Sequence, residues 1–174
     1  MGISEQVIHM FNMQNKLNEN ILKEYGQDVM TKEKLSMAII DEIGELTHEL
    51  KGSWCWWKKT QKPVNQKRVL EELVDVYHFV MTWEMKYNSN INHELNSNKI
   101  LDSLFYYATD IILFNEKKLN RESISSKISC IVSEENKYDA LLELTKMLGF
   151  TFEEVYQKYL NKNKENYERL ASGY

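Results

Sequence analysis

The sequence predicts an all-α fold, one bundle of five to seven helices, and three observations predict it. Apolar residues recur at spacings of three and four along nearly the whole chain, the signature of helices with one buried face. No stretch alternates as a strand does for more than four or five residues. One proline and six glycines in 174 residues leave few places to break helices or turn hairpins, which argues against a sandwich, a barrel or a glycine-rich dinucleotide fold. At 43% apolar and 28% charged residues, the chain can fill the core of a single domain over residues 1–174.

The elements follow in order. Ile3, Val7, Met10, Phe11, Gln14, Leu17, Ile21 and Leu22 mark a first helix over about 3–24, and Gly26 offers it a left-handed cap. Thr31 caps a second helix that carries Leu35, Ala38, Ile39, Ile43, Leu46 and Leu50, with Gly52 closing it. Residues 52–66 hold the only proline, Pro63, and read as a loop. A third helix spans about 66–87, with Val69, Leu70, Leu73, Val76, Tyr77, Val80 and Met81 on its apolar side. Residues 88–98, with five asparagines, read as a turn. Two or three helices then occupy about 99–116 and 121–148, with Ser133 as a start signal and Gly149 as a stop. Thr151-Phe152-Glu153-Glu154 has the capping-box form and opens a final helix to about Arg169.

Charge and cysteines limit the partners. Twenty-two basic against 26 acidic residues, net −4, are a poor footprint for nucleic acid. No apolar window is long enough to cross a membrane, and Glu5 and His9 within the first amphipathic pattern argue against a signal peptide. Cys55 and Cys130 stand far apart with no paired motif, so they read as reduced thiols of a cytoplasmic protein.

The chemistry lies in two acidic clusters on consecutive long helices. Glu42 and Glu45 are three apart, as are Glu72 and Asp75, so each pair shares a helix face, and each borders the apolar stripe. If the two helices pack antiparallel, four carboxylates converge near the core, where like charges repel strongly. A hard divalent cation relieves that repulsion, and oxygen-only ligands select Mg²⁺ or Mn²⁺ over zinc. Between the clusters, from Leu50 to Leu70, there is no acidic residue, while six lysines and arginines accompany Trp54, Trp56 and Trp57. Cations suit phosphate oxygens and an indole suits a base or sugar. Together these features point to a nucleotide polyphosphate.

Four stretches then resemble the dimeric all-α dUTPase family, related to the MazG-like nucleoside triphosphate pyrophosphohydrolases. They are Met10 to Asn18; Glu42-Ile43-Gly44-Glu45-Leu46 with the tryptophan–lysine loop to Lys58; Glu72 to Phe79; and Lys162 to Arg169 with the closing Gly173-Tyr174. The resemblance implies a homodimer that hydrolyses dUTP, and dUDP, to dUMP. By it, Glu42, Glu45, Glu72 and Asp75 bind two or three Mg²⁺ ions that clamp the triphosphate and activate the attacking water, which Glu45 orients or deprotonates. Gln14 and Asn18, four apart on one face, would read the uracil edge, since amides both donate and accept. The resemblance also places His78 and Phe79 at the nucleoside and Asn166 at the sugar. Lys58, Lys162 and Arg169 fall at the phosphates, Trp57 at the substrate and Tyr174 over the site. The loop through Trp54, Cys55, Trp56 and Trp57 is about one residue longer than the family pattern, which leaves open which tryptophan stacks. Two alternatives stand beside this reading. One is a MazG-like pyrophosphatase of another nucleotide such as dCTP, and the other is a non-enzymatic helical binding module.

Overall fold

The computed structural model describes residues 1–88, 124–133 and 137–173, and among these it contains helices and no strand. They are α1 (Ile3–Tyr25), α2 (Lys32–Glu49), the single turn α3 (Lys51–Trp54), α4 (Gln66–Tyr87), α5 (Ile124–Ser133), α6 (Lys137–Met147) and α7 (Phe152–Ser172). The expected asparagine turn, the helix over 99–116 and Tyr174 lie outside the described residues, apart from Asn88.

Caps explain most of the boundaries. The Thr31 hydroxyl accepts from the Lys34 amide at 3.3 Å to start α2, and the Asn65 side chain accepts from the Lys67 and Arg68 amides to start α4. The predicted capping box is formed. Thr151 accepts from the Glu154 amide while the Glu154 carboxylate takes the Thr151 amide at 2.8 Å. At the end of α6, Gly149 with φ 87° lets its own amide and that of Phe150 bond back to Lys146 and Thr145, a Schellman closure.

Three boundary expectations need correction. Gly26 has φ 100° but ψ 161°, so it ends α1 in an extended, glycine-only conformation and not in a left-handed cap. Gly52 does not close α2, which ends at Glu49; it lies inside α3. A Cβ there would stand 2.6 Å from the Lys62 carbonyl oxygen, so the glycine serves the close approach of the loop that returns to α4. Ser133 is the last residue of α5 rather than the start of a helix, and its hydroxyl bonds back to the Ser129 carbonyl.

Partner numbers give the helix directions. Gln6 meets Glu153, His9 meets Tyr156 and Asn20 meets Tyr167, always 147 apart, so α1 and α7 run parallel. Gln14 with His78 and Asn18 with Thr82 are each 64 apart, which makes α1 parallel to α4. Lys158 on Glu71 and Lys162 on Asp75 make α7 parallel to α4 as well. α2 runs the other way, since Glu49 lies by Arg68 while Glu42 faces Asp75.

α4 is the central helix. Beyond its predicted apolar side it buries Val74, Trp83 and Met85, together with Glu72, His78, Thr82 and Glu84, because α1, α2, α6 and α7 all pack against it. The core joins Met10 and Phe11 of α1, Ile39 and Leu46 of α2, Leu73 and Tyr77 of α4, Tyr138 and Leu141 of α6, and Val155 and Tyr159 of α7. Fully burying each such side chain is worth about 1.5–3 kcal/mol. That rigidity holds the polar groups of α4 in place.

Candidate active site

The antiparallel pairing of α2 and α4 brings the two acidic clusters together. Oxygens of Glu42, Glu45 and Glu72 can all lie within 4.8 Å of one another, and Asp75, one turn beyond Glu72, acts electrostatically on Glu42. Burial, then Asp75 and Glu45, pushes the Glu42 carboxyl up to about 7. Burial also raises Glu72, against the neighbouring Arg68, and raises Asp75, against the bonded Lys162. Carboxyls raised in this way are short of positive charge. The donor set is all oxygen, which fits a hard divalent cation.

Protein cations flank the cluster at both ends. Arg68 reaches Glu71 at 2.8 Å, Glu72 at 2.5 Å and Glu49 at 3.7 Å, and Lys158 shares Glu71 at 2.6 Å. At the other end the Lys162 ammonium donates to Asp75 at 2.8 Å. In the sequence Arg68 counted only as loop charge; its spacing of three and four from Glu71 and Glu72 is the signal that places it here.

A cavity of about 660 Å³ opens beside the cluster. It is lined by Glu42, Asp75, Lys162, Asn166 and Arg169, by Gln14, Asn18, His78, Phe79 and Thr82, and by the apolar Leu17, Ile21, Met30 and Leu35. Glu45 and Glu72 line a neighbouring groove with Asp41, His48 and Arg68. The acidic cluster therefore stands between the two.

Hydrogen bonds fix the polar part of the cavity. The Gln14 amide donates to Asn18 Oδ1 at 2.9 Å and to Thr82 Oγ1 at 3.1 Å. Its carbonyl oxygen accepts from the Tyr159 hydroxyl at 2.9 Å and from His78 Nδ1 at 2.6 Å. Gln14 is buried and its hydrogen-bonding capacity is spent within the protein. Asn18 Oδ1 also accepts from Thr82. His78 stacks on the Tyr159 ring with centroids 4.4 Å apart. Burial, with Lys162 nearby, drives its pKa down to about 3, so the ring is neutral. With Nδ1 carrying the hydrogen toward Gln14, Nε2 is a buried acceptor without a protein partner.

The structure thus brings Gln14, Asn18, Glu42, Asp75, His78, Phe79, Lys162, Asn166 and Arg169 to one cavity, and Glu45 and Glu72 to its edge. It does not bring Trp57 and Lys58 there. The exposed Trp54, Trp56 and Trp57 pack on one another, with centroids 5.5 Å and 5.7 Å apart, and Trp54 is pinned to the Thr47 carbonyl. Thr82 and Tyr159, which hold Gln14, went unnoticed in the sequence because each reads as an ordinary member of a helix.

No helix among the described residues is long and apolar enough to cross a membrane. No curated protein matches the chain. The family model described as dUTPase matches residues 6–174, and enzymes of that family generally use a divalent metal. With the match spanning nearly the whole chain over an all-α fold, the protein belongs to the all-α dUTPase family and is a dUTP diphosphatase.

Proposed function

We propose that the enzyme uses Mg²⁺, two or three ions with Mn²⁺ able to replace it, and that it cleaves dUDP as well as dUTP, yielding dUMP, as a homodimer. One observation carries the reading: a single cavity is lined both by Glu42 and Asp75 of the acidic cluster and by neutral His78, whose buried Nε2 has no protein partner. Glu42, Glu45, Glu72 and Asp75 would hold the cation, which would supply neutralising charge to the polyphosphate and polarise the attacking water. Glu45, exposed at the groove, orients that water and takes its proton. The water oxygen bonds to phosphorus as the P–O bond of the α–β bridge breaks, releasing dUMP together with pyrophosphate from dUTP or phosphate from dUDP. Lys162 and Arg169 offset phosphate charge, Asn166 meets the sugar, and Phe79 lies against the base. Neutral His78 accepts the N3–H of uracil at Nε2, while the Asn18 amide hydrogens donate to a neighbouring carbonyl oxygen. Gln14 acts as the positioning residue that fixes both. Cytosine has a lone pair at N3, which would meet the Nε2 lone pair.

Steady-state turnover of dUTP and dCTP tests the base assignment. The wild type is expected to prefer dUTP by at least about 10⁴ in kcat/KM, the scale at which a hydrogen-bonding site rejects a mismatched analogue. Asn18→Asp is expected to lose about a hundredfold on dUTP and nothing on dCTP, the loss corresponding to about 3 kcal/mol. Equal turnover of the two nucleotides, or unchanged selectivity in Asn18→Asp, would sink the assignment.

A further inference from the structure

Asp75 carries two roles. It is one of the four carboxylates read above as the metal cluster, and it is also the acceptor of a 2.8 Å contact from Lys162 whose side chains are 13% and 14% exposed. Both residues line the same cavity. Arg169, on the same face one to two turns further along α7, acts on Asp75 through its field but places its guanidinium on Glu165 at 2.6 Å. Arg68, at the far end of the cluster, spreads over Glu49, Glu71 and the cluster carboxylate Glu72. Lys162 differs from both: among the described residues its ion pair is with Asp75 alone, and both partners line the cavity, where a cation bound to Asp75 would meet the ammonium's charge.

We propose that Lys162 is an exchangeable counterion, which holds Asp75 until a divalent cation displaces it and then transfers to a phosphate oxygen of the nucleotide. The proposal rests on the cluster being the metal site. A lysine suits the exchange, since its compact charge on a flexible stem carries three rotatable donors and moves between acceptors with little loss. The cavity that Lys162 and Asp75 line, about 660 Å³, has room for the arriving polyphosphate. The consequence is coupling. The cation alone must break the Lys162–Asp75 contact, whereas with nucleotide present the released ammonium gains a new partner, so each ligand strengthens the other by the same factor.

Calorimetric titration with Mg²⁺ alone, and again with a non-hydrolysable dUTP analogue, separates this from a passive role. Lys162→Met is expected to bind Mg²⁺ about tenfold more tightly than the wild type in the absence of nucleotide, and to show a smaller gain when the analogue is added. Lys162→Gln serves if Lys162→Met does not fold by circular dichroism. Arg169→Gln, which removes a nearby charge that is paired with Glu165, is expected to change Mg²⁺ affinity less than about threefold. Lys162 variants that bind Mg²⁺ no more tightly than the wild type would overturn the exchange, as would an equal gain in Arg169→Gln. Absence of Mg²⁺ binding in wild type and variants alike would overturn the metal cluster itself, and the exchange with it.

Discussion

Glu42→Gln is expected to lose dUTP turnover by about 10²–10³, the scale for removing one preorganised charge contact, and yet to melt at a higher temperature than the wild type in chelator at pH 8. The two effects have one cause. Burial, Asp75 and Glu45 raise the Glu42 carboxyl to about 7 from an ordinary 4.5. A folded-state pKa raised above the unfolded one gives stability that is fully present below the unfolded value and is lost as pH rises through the folded value. Between about pH 5 and 8 the wild type therefore loses what a neutral amide keeps. A shift of this size, partly screened, amounts to about 2 kcal/mol, or about 4–8 °C for a chain of this length. The gain should vanish near pH 5. His78 acts in the opposite sense, since its pKa is depressed to about 3 and the protein loses stability as pH falls below the ordinary histidine range. The comparison of mutant with wild type cancels that contribution. A Glu42→Gln protein that melts below the wild type at pH 8 in chelator would show that the cluster is not strained by its own charge.

Gln14→Leu carries the second large effect. The side chain has nearly the right shape for the site, but it removes four hydrogen bonds at once, those to Asn18, Thr82, His78 and Tyr159. Tyr159 keeps the Met10 carbonyl at 3.3 Å and Asn18 keeps Thr82. The His78 Nδ1 hydrogen keeps nothing, and His78 is 4% exposed. A buried donor left unmade costs about 1–3 kcal/mol, and the lost bonds bring the total to about 2–4 kcal/mol, a large share of the stability of a single domain. Freed from Gln14, the imidazole can move its hydrogen to Nε2 and present a donor to the cavity, so the preference for dUTP over dCTP should fall with stability. Urea unfolding gives the first effect and competitive turnover the second. A wild-type urea midpoint would contradict the network.

How much of this was legible in the sequence differs by the range of the interaction. The starts of α2 and α7 could be read because local signals set them: Thr31 and Thr151 cap with their own side chains, and the apolar spacing of three and four follows directly after each cap. Glycine misled at Gly52, where the requirement comes from the Lys62 carbonyl across the loop and not from the turn. The acid pairs were legible because both members of each lie on one helix. That Lys162 meets Asp75, or that Gln14 meets His78, depends on the register of helices far apart in the chain, and no local pattern states a register. The proton affinity of Glu42 depends on α2, α4 and α7 together, so it appears only once they are packed.

The most direct test of the central claim measures pyrophosphate release from dUTP, dCTP, dTTP and UTP, with and without Mg²⁺, for the wild type and Glu45→Gln. The account predicts turnover of dUTP alone, lost without metal and reduced by at least about a hundredfold in Glu45→Gln. Turnover of dUTP that persists in chelator, or in Glu45→Gln at the wild-type rate, would contradict it.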